Sequence, residues 1–411
     1  MSALPVSLAD VRRAAAALSG AIAAAPTVAA PVLSEIAGAK VWLKLETQHP
    51  TGSFKERGAL NRLLALDARQ RKGGVVAMSA GNHAQGVAFH AGRLQVPATI
   101  VMPRGTPFTK IDRTEALGAT VVLAGDGLAA ARRAANALAK SRGLTLIHPY
   151  DDPAVIAGQG TIALELLADV PALDTLIVPI GGGGLISGIA VAAKALNPAL
   201  SVIGVQAALY PAMYRLLRGE PAATADGGTT LAEGIAVKQP GRITRRIVAT
   251  LVDDIVLVDE AAIENAVKFL IERQRIVAEG AGAAGVAALF AEPGRYRGRK
   301  VGVVVSGGNI DARLLASILM RGLVREGCLV RLRSELPDLP GTLARVAGIV
   351  GGLGANIVEV HHQRLFHDTS VKRAELDLVV ETQNRRHVDA LIAALVAAGF
   401  PTQLLLGAED N

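Results

Sequence analysis

The chain has 411 residues, 51% of them hydrophobic, which is enough for two or three domains around a sizeable core. Its formal charge of +7 is scattered; the basic clusters at 69–72 and 295–300 read as solvated helix ends or loops, and with only 3% aromatic residues nucleic-acid binding is not expected. The single cysteine, Cys328, excludes an internal disulfide and a cysteine-rich metal site. No uninterrupted apolar run reaches about 18 residues, so no membrane span is expected and the protein is placed in the cytoplasm.

The first thirty residues are alanine-rich but interrupted by Asp10, Arg12 and Arg13, which reads as a helix rather than a signal peptide. Lys55 follows in Thr51-Gly52-Ser53-Phe54-Lys55-Glu56-Arg57-Gly58-Ala59. A lysine that forms a Schiff base needs a partly desolvated pocket to lower its pKa. Ser53 offers a polar contact and Phe54 an aromatic wall, while Gly52 and Gly58 let backbone approach a ligand. An ordinary surface lysine at a helix start fits this segment equally well.

From 40 to 310, short apolar runs alternate with alanine-rich segments of helical length. The runs at 75–78, 98–102, 120–123, 144–147, 176–180, 202–205, 255–258 and 301–305 have the look of strands buried on both faces. They predict an α/β fold of the doubly wound kind, in which ligands bind beyond the carboxyl ends of the strands.

Three of those ends carry small, polar turns: Ser79-Ala80-Gly81-Asn82-His83-Ala84-Gln85-Gly86, Gly181-Gly182-Gly183-Gly184-Leu185, and Ser306-Gly307-Gly308-Asn309. Four consecutive glycines before a helix expected from Ile186 expose backbone N–H groups where the helix dipole favours an anion, a phosphate cradle. The run lacks the lysine and hydroxyl residue of a P-loop and the spacing of a dinucleotide fingerprint, so ATP and NAD fit poorly. A small phosphorylated ligand plus a Schiff-base lysine points to pyridoxal 5′-phosphate.

With these motifs in this order, residues 1 to about 322 resemble the fold-type II pyridoxal-phosphate enzymes, a tryptophan-synthase-β-like fold, and more narrowly the threonine ammonia-lyases. The resemblance implies a catalytic domain over 1–322, with a smaller subdomain at about 50–150 inserted in the larger. It implies that Lys55 carries the cofactor as a Schiff base, that Phe54 packs beside the ring, that Asn82 meets its phenolic oxygen, that Gly181, Gly182, Gly183, Gly184 and Leu185 hold the phosphate, and that Ser306 meets the pyridine nitrogen. A serine hydroxyl leaves that nitrogen largely neutral, which favours β-elimination over transamination. The implied cycle has the amino group of threonine displace Lys55, Lys55 take the Cα proton, and the β-hydroxyl leave with the cofactor phosphate as candidate acid. The products are 2-oxobutyrate and ammonia, and serine would give pyruvate.

By the same resemblance Ser79, Asn82 and His83 clasp the substrate carboxylate, although His83 also reads as a structural turn residue. Related serine racemases place a serine where this chain has Ala80, whose methyl group has no proton to deliver. Glu233, in Leu231-Ala232-Glu233-Gly234-Ile235-Ala236, falls where relatives carry a cation-binding carboxylate; one carboxylate without companions defines no metal site and reads equally as a cap. Asp151 and Asp152 before Pro153 read as a turn and helix start, and His361-His362 as strand residues.

Near residue 323 the pattern changes. Strand 328–332, helix 341–351, strands 356–362 and 374–380, helix 386–398 and strand 402–406 give a βαββαβ order and an antiparallel, ferredoxin-like sheet. Asp338-Leu339-Pro340-Gly341-Thr342-Leu343 and Gly354-Ala355-Asn356-Ile357 resemble the ACT family, placed at about 327–406 within a linker and regulatory domain at 323–411. The resemblance implies an amino-acid effector, isoleucine or valine, at Leu339, Gly341, Thr342, Leu343 and Asn356, and pairing between subunits of a homodimer or homotetramer. The alternatives are a serine or hydroxyaspartate ammonia-lyase of the same fold, a catalytically silent amino-acid sensor, and an ACT-like unit that only joins subunits.

Overall fold

The computed structural model describes residues 4–222, 228–363 and 372–405, and the chain forms two compact units, Met1–Ile310 and Asp311–Asn411. The first unit holds two sheets. Strands β1 (Thr27–Ala29), β2 (Lys40–Leu45), β7 (Thr175–Pro179), β8 (Ser201–Ala207), β9 (Asp254–Val258) and β10 (Lys300–Val305) form a six-stranded sheet in the order β1-β2-β10-β7-β8-β9. Strands β3 (Val75–Met78), β4 (Ala98–Met102), β5 (Thr120–Leu123) and β6 (Thr145–Leu146) form a parallel four-stranded sheet in the order β5-β4-β3-β6. The smaller sheet thus lies in the chain between β2 and β7 of the larger. Every residue of β7 is buried, as expected of a central parallel strand covered on both faces.

Two strands differ from the sequence expectation. The N-terminal helix spans only Leu8–Leu18, and Thr27–Ala29 pairs antiparallel with β2, so the first thirty residues are not one helix and the larger sheet is mixed. The β-branched pair Thr27-Val28 between Pro26 and Pro31 favours an edge strand over helix. Strand β2, in parallel register with β10, carries Lys44, which interrupts its apolar pattern; that amine is fully buried against the Glu165 carboxylate at 2.8 Å and the Ala25 carbonyl at 2.6 Å. Asp152 caps the helix Pro153–Asp169 by accepting from the Ala154 and Val155 amides at 2.8 and 3.1 Å, with Pro153 opening its first turn.

That helix positions the cavity. Gly158 and Gly160 stand two residues apart, hence on opposite flanks, about 200° around the axis. A Cβ on Gly158 would lie 2.7 Å from the Arg57 carbonyl oxygen and the Gly58 Cα, within the helix Lys55–Leu64. One on Gly160 would lie 2.7 Å from the Gly188 carbonyl oxygen, within the helix Gly184–Leu196, and one on Gly188 would strike the Ile156 carbonyl oxygen. Helices therefore touch backbone to backbone on both flanks, and the two partners present their N-termini, Lys55 and Gly184, to one cavity.

The second unit opens with the helix Ala312–Arg325 and continues as β11 (Leu329–Pro337), helix Thr342–Gly352, β12 (Asn356–Gln363), β13 (Arg373–Glu381), helix Arg385–Ala397 and β14 (Thr402–Leu405). The sheet order is β12-β13-β11-β14, antiparallel throughout. Leu406, the expected end of the last strand, lies outside the described residues. Strand β11 runs five residues beyond the expected Leu332, because Arg331 and Arg333 point to one face and meet Asp377 at 2.6 and 2.8 Å while Leu332 and Leu336 are buried on the other. No helix among the described residues is long and apolar enough to cross a membrane.

Gly188→Ala forces the Gly160–Gly188 helix contact apart and is expected to lower stability by about 1–3 kcal/mol. Gly348→Ala, in the helix Thr342–Gly352 with nothing within 4 Å of its Cβ, is expected to raise it by roughly 0.5–1 kcal/mol. Equilibrium denaturation of both variants checks the pair, and a neutral Gly188→Ala would remove the close-contact account.

Candidate active site

Three helices begin at the wall of one cavity of about 1430 Å³: Lys55–Leu64, Asn82–Arg93 and Gly184–Leu196. None of the three has a side-chain cap at its N-cap residue among the described residues; apart from Arg57 N–H, which donates to the Phe54 carbonyl at 3.1 Å, and Gly58 N–H, which donates to Gln159 Oε1 at 3.2 Å, the N–H groups at these helix starts face the cavity without a cap. Each end also carries the positive pole of its helix, so the cavity is built for anions without needing a cationic side chain at each point. The sequence-predicted residues Phe54, Lys55, Ser79, Asn82, His83, Gly181, Gly182, Gly183, Gly184, Leu185, Glu233 and Ser306 all line it.

Lys55 is the first residue of its helix; its amine donates to the Pro149 carbonyl at 3.0 Å and lies 4.9 Å from the Phe54 ring centre. Burial lowers its pKa to about 8, against the opposing pull of Glu279. Lys55 is held from below by its neighbours. Glu56 accepts from the Thr51 amide at 2.5 Å and faces His90 at 3.3 Å, while buried Arg57 reaches Glu46 with Nε and Nη2 at 2.7 and 2.9 Å and Glu165 with Nη1 and Nη2 at 2.5 and 2.8 Å. Burial pushes the Glu46 carboxyl up, but Arg57 and then His49 outweigh it and hold the group at about 2. A bidentate guanidinium on two carboxylates fixes the helix start in rotation as well as position.

The turn after β10 is stitched to this segment. Phe54 N–H donates to the Ser306 carbonyl at 3.1 Å, Gly308 N–H to the Gly52 carbonyl at 2.9 Å, and Ser53 forms an isolated bridge with Gly307. Asn309 Nδ2 donates both to the Thr51 carbonyl at 2.6 Å and to Asn82 Oδ1 at 2.7 Å, and Asn82 Nδ2 donates to Glu279 Oε1 at 2.6 Å. Gly52 adopts φ +69°, and a Cβ there would lie 2.8 Å from Asn309 Oδ1, so glycine is needed for both backbone and space. Burial pushes the Glu279 carboxyl up to about 7; the Asn82 hydrogen bond opposes that shift and the Glu233 charge adds to it.

Two of the four glycines, Gly182 and Gly184, pack against Tyr150, and the helix starts at Gly184, two residues earlier than expected. A Cβ on Gly182 would strike the Tyr150 ring, and one on Gly184 would lie 2.9 Å from the Tyr150 Cα. Tyr150 is pinned by its hydroxyl to the Gln239 carbonyl at 2.9 Å. Asp151 closes the other side by accepting from the amides of Arg242, Ile243 and Thr244 at 3.0, 2.8 and 3.3 Å.

These residues fit pyridoxal phosphate. A lysine with a lowered pKa, a glycine-lined helix start with unpaired N–H groups, and a serine whose hydroxyl makes only a 3.5 Å contact with the Ala281 carbonyl are the donor set that an aldehyde, a phosphate and a ring nitrogen require. His83 lines the cavity, but its Nε2 is 3.0 Å from the Ile147 carbonyl, and burial, then the Lys55 charge, lowers its pKa to about 3, so it is a neutral ring near pH 7. Glu233 opens a short 3₁₀ turn and pairs with Lys110 at 2.7 Å; among the described residues no group of three or more His, Cys, Asp or Glu could hold a metal ion.

In the second unit Gly341 caps the helix Thr342–Gly352 at φ +86° without a side-chain cap, Thr342 is buried in its first turn, and Leu339 and Leu343 are exposed. Asn356 opens β12 and donates to Glu381 at 3.0 Å. His361 and His362 lie on β12. The sequence alone assigns no role to Glu279, Asn309, Tyr150 or the Arg57 cluster. Glu279 stands directly before the small-residue helix Gly280–Ala291, a position that signals no more than a helix cap.

The sequence profile of the family described as "Pyridoxal-phosphate dependent enzyme" matches residues 18–307. The L-threonine ammonia-lyase of Thermotoga maritima is 44% identical over 400 residues, covering 97% of this chain and all of that protein. Among solved structures, the processed form of threonine deaminase isoform 2 from Solanum lycopersicum superposes with a TM-score of 0.72 at 34% identity, over 76% of this chain and 91% of that one. Maize serine racemase superposes with a TM-score of 0.73 at 33% identity, over 79% and 99%. With its profile match running through both sheets of the first unit, the chain belongs to the pyridoxal-phosphate dependent enzyme family.

Proposed function

We propose that the chain is a threonine ammonia-lyase that converts L-threonine to 2-oxobutyrate and ammonia, with serine giving pyruvate. The observation that carries this reading is the meeting of Lys55, the glycine-lined helix start and Ser306 in one cavity, in a chain 44% identical to an L-threonine ammonia-lyase along nearly its whole length. Pyridoxal phosphate, when bound, draws electrons from the substrate's Cα and makes its proton removable.

In this reading Lys55 holds the cofactor covalently and, once released by the substrate amino group, takes the Cα proton. Its lowered pKa supports both roles, because only the neutral amine can attack or accept. The N–H groups of Gly181, Gly182, Gly183, Gly184 and Leu185 hold the phosphate, and the first-turn N–H groups of the helix Asn82–Arg93 receive the substrate carboxylate, with Ser79 beside them. Neutral His83 is a wall of that subsite rather than an acid. Ser306 presents a hydroxyl to the ring nitrogen, so no charge is fixed there.

The second unit is read as an ACT-like regulatory domain binding isoleucine or valine at Leu339, Gly341, Thr342, Leu343 and Asn356, with the product feeding isoleucine biosynthesis under feedback control. Its βαββαβ order, its antiparallel sheet and the uncapped helix start after Gly341 support this. In the same reading the enzyme is cytoplasmic and pairs these units between subunits of a homodimer or homotetramer.

Supplied separately with threonine, serine and hydroxyaspartate, the enzyme is expected to release keto acid fastest from threonine; release from another substrate but none from threonine overturns the assignment. Lys55→Ala is expected to lose the absorbance band of the covalently held cofactor and to reduce turnover by at least about 10³-fold. Recombination of apoenzyme with cofactor should speed up as pH rises through about 8, where Lys55 loses its proton, and Glu279→Gln should move that midpoint lower by removing the opposing negative charge. Calorimetry with isoleucine and valine should show saturable heat that Gly341→Val abolishes; no heat with either leaves the second unit as a module for subunit contact.

A further inference from the structure

The hydrogen bonds around Asn82 have a fixed direction. The Thr51 carbonyl can only accept, so the Asn309 atom 2.6 Å from it is the amide nitrogen. The same nitrogen lies 2.7 Å from Asn82, which must therefore present its oxygen to Asn309 and its nitrogen to Glu279, 2.6 Å away. A carboxylate accepts there, and so does the carbonyl oxygen of a protonated carboxyl, so the direction holds in either charge state. Asn82 Nδ2 has two hydrogens and only one goes to Glu279.

We propose that Glu279 is a positioning residue that, together with Asn309, locks the Asn82 carboxamide so that its second N–H, never its carbonyl, faces the cofactor's ring oxygen. This rests on the proposed cofactor site. The placement is expensive for a carboxylate, which supports a purpose beyond filling space. Glu279 is half-buried at the cavity wall, and Gly307 leaves room for its Oε1, since a Cβ on that glycine would lie only 2.6 Å from it. Lys55, Glu233 and Lys110 are the charged groups that face it. Its own backbone N–H donates to the Gly307 carbonyl at 3.0 Å, so the carboxylate and the Ser306 turn keep one register. A reversed Asn82 amide would set carbonyl against an electron-rich ring oxygen and leave Glu279 facing another acceptor.

The test uses holoenzyme and reads the visible band of the held cofactor against pH, beside kcat and KM. Glu279→Gln keeps an acceptor for Asn82 but removes the charge, so its band midpoint, lowered by the charge loss alone, is the reference for the next variant. Glu279→Leu removes the acceptor and is expected to shift that midpoint and lower kcat by about 10–100-fold, with KM changing less. Asn309→Leu, neutral and close in volume, cannot donate to Asn82 and should shift the midpoint from its wild-type position. The double variant Glu279→Leu/Asn309→Leu should be no worse than either single one, because both act through Asn82.

A structural role alone would lower the melting temperature and leave the spectrum in place. A midpoint in Glu279→Leu equal to that of Glu279→Gln together with an unmoved midpoint in Asn309→Leu, or fully additive losses in the double variant, overturns the proposal. If Glu279→Leu does not fold, Asn309→Leu decides alone. A wild-type protein that stays colourless with cofactor fails the site reading instead, so the two failures are distinguishable.

Discussion

Backbone contact between three helices is the constraint on which the first unit depends. The helix Pro153–Asp169 lies between the helices that begin at Lys55 and Gly184, and it meets each through glycine on both sides, Gly158 with Gly58 and Gly160 with Gly188. Ordinary helix packing keeps axes about 8–10 Å apart, and any side chain at these crossings would push them toward or beyond that range. Without the glycines the amine of Lys55 and the N–H groups at Gly184 would separate, and a ligand spanning them could not touch both. Gln159, between the two glycines, contributes as well: its Oε1 accepts the Gly58 N–H at 3.2 Å. A crossing of this kind removes side-chain entropy cost and gains dispersion contact along the backbone, but it tolerates no added atom.

Charge is the second constraint, and it is divided by depth. Behind the Lys55 helix, Arg57, Lys44, Glu46 and Glu165 are paired at hydrogen-bond distance, so each opposite charge has a partner. At the cavity the pattern reverses. Lys55 and Glu279 face each other without an ion pair at hydrogen-bond distance, and burial pushes one pKa down to about 8 and the other up to about 7. Linkage gives each a direction in the apoprotein. Glu279 binds more protons folded than unfolded between its ordinary 4.5 and about 7, so stability falls as pH rises through that window. Lys55 binds fewer folded than unfolded between about 8 and its ordinary 10.5, so stability rises with pH there.

The parallel core was legible because strands buried on both faces are written as continuous apolar runs, and β3, β4, β5, β7, β8, β9 and β10 each lie within two residues of the run that foretold them. Strand β2 was hidden by Lys44, whose charge is cancelled by Glu165, 121 positions away in the numbering and unreadable from the local pattern. The same limit governs the cavity. Lys55, the four glycines and Ser306 announce themselves, since each sits at a strand end or helix start with a local reason for its residue type. Glu279 does not, because its partner Asn82 is 197 residues earlier and the link exists only once the two sheets are folded. Asn309 was visible as part of a small turn, yet its use depends on Thr51, 258 residues earlier.

These separations explain how the cavity divides its tasks. In the proposed reading the groups that grip the ligand's anionic ends are backbone N–H groups at helix starts, which do not titrate, so that grip does not change with pH through protonation of the protein. In the same reading Lys55, which takes the proton, and Glu279, which positions Asn82, have pKa values near neutrality, about 8 and about 7, because burial opposes their charge. A single shift in local polarity therefore alters chemistry without releasing the ligand. The arrangement also accounts for the scarcity of charged side chains where the phosphate is expected. A lysine or arginine there would strengthen binding, but its full charge would push the Lys55 pKa down further and tie the grip on phosphate to the proton chemistry; helix ends supply the attraction through partial charges that no proton removes.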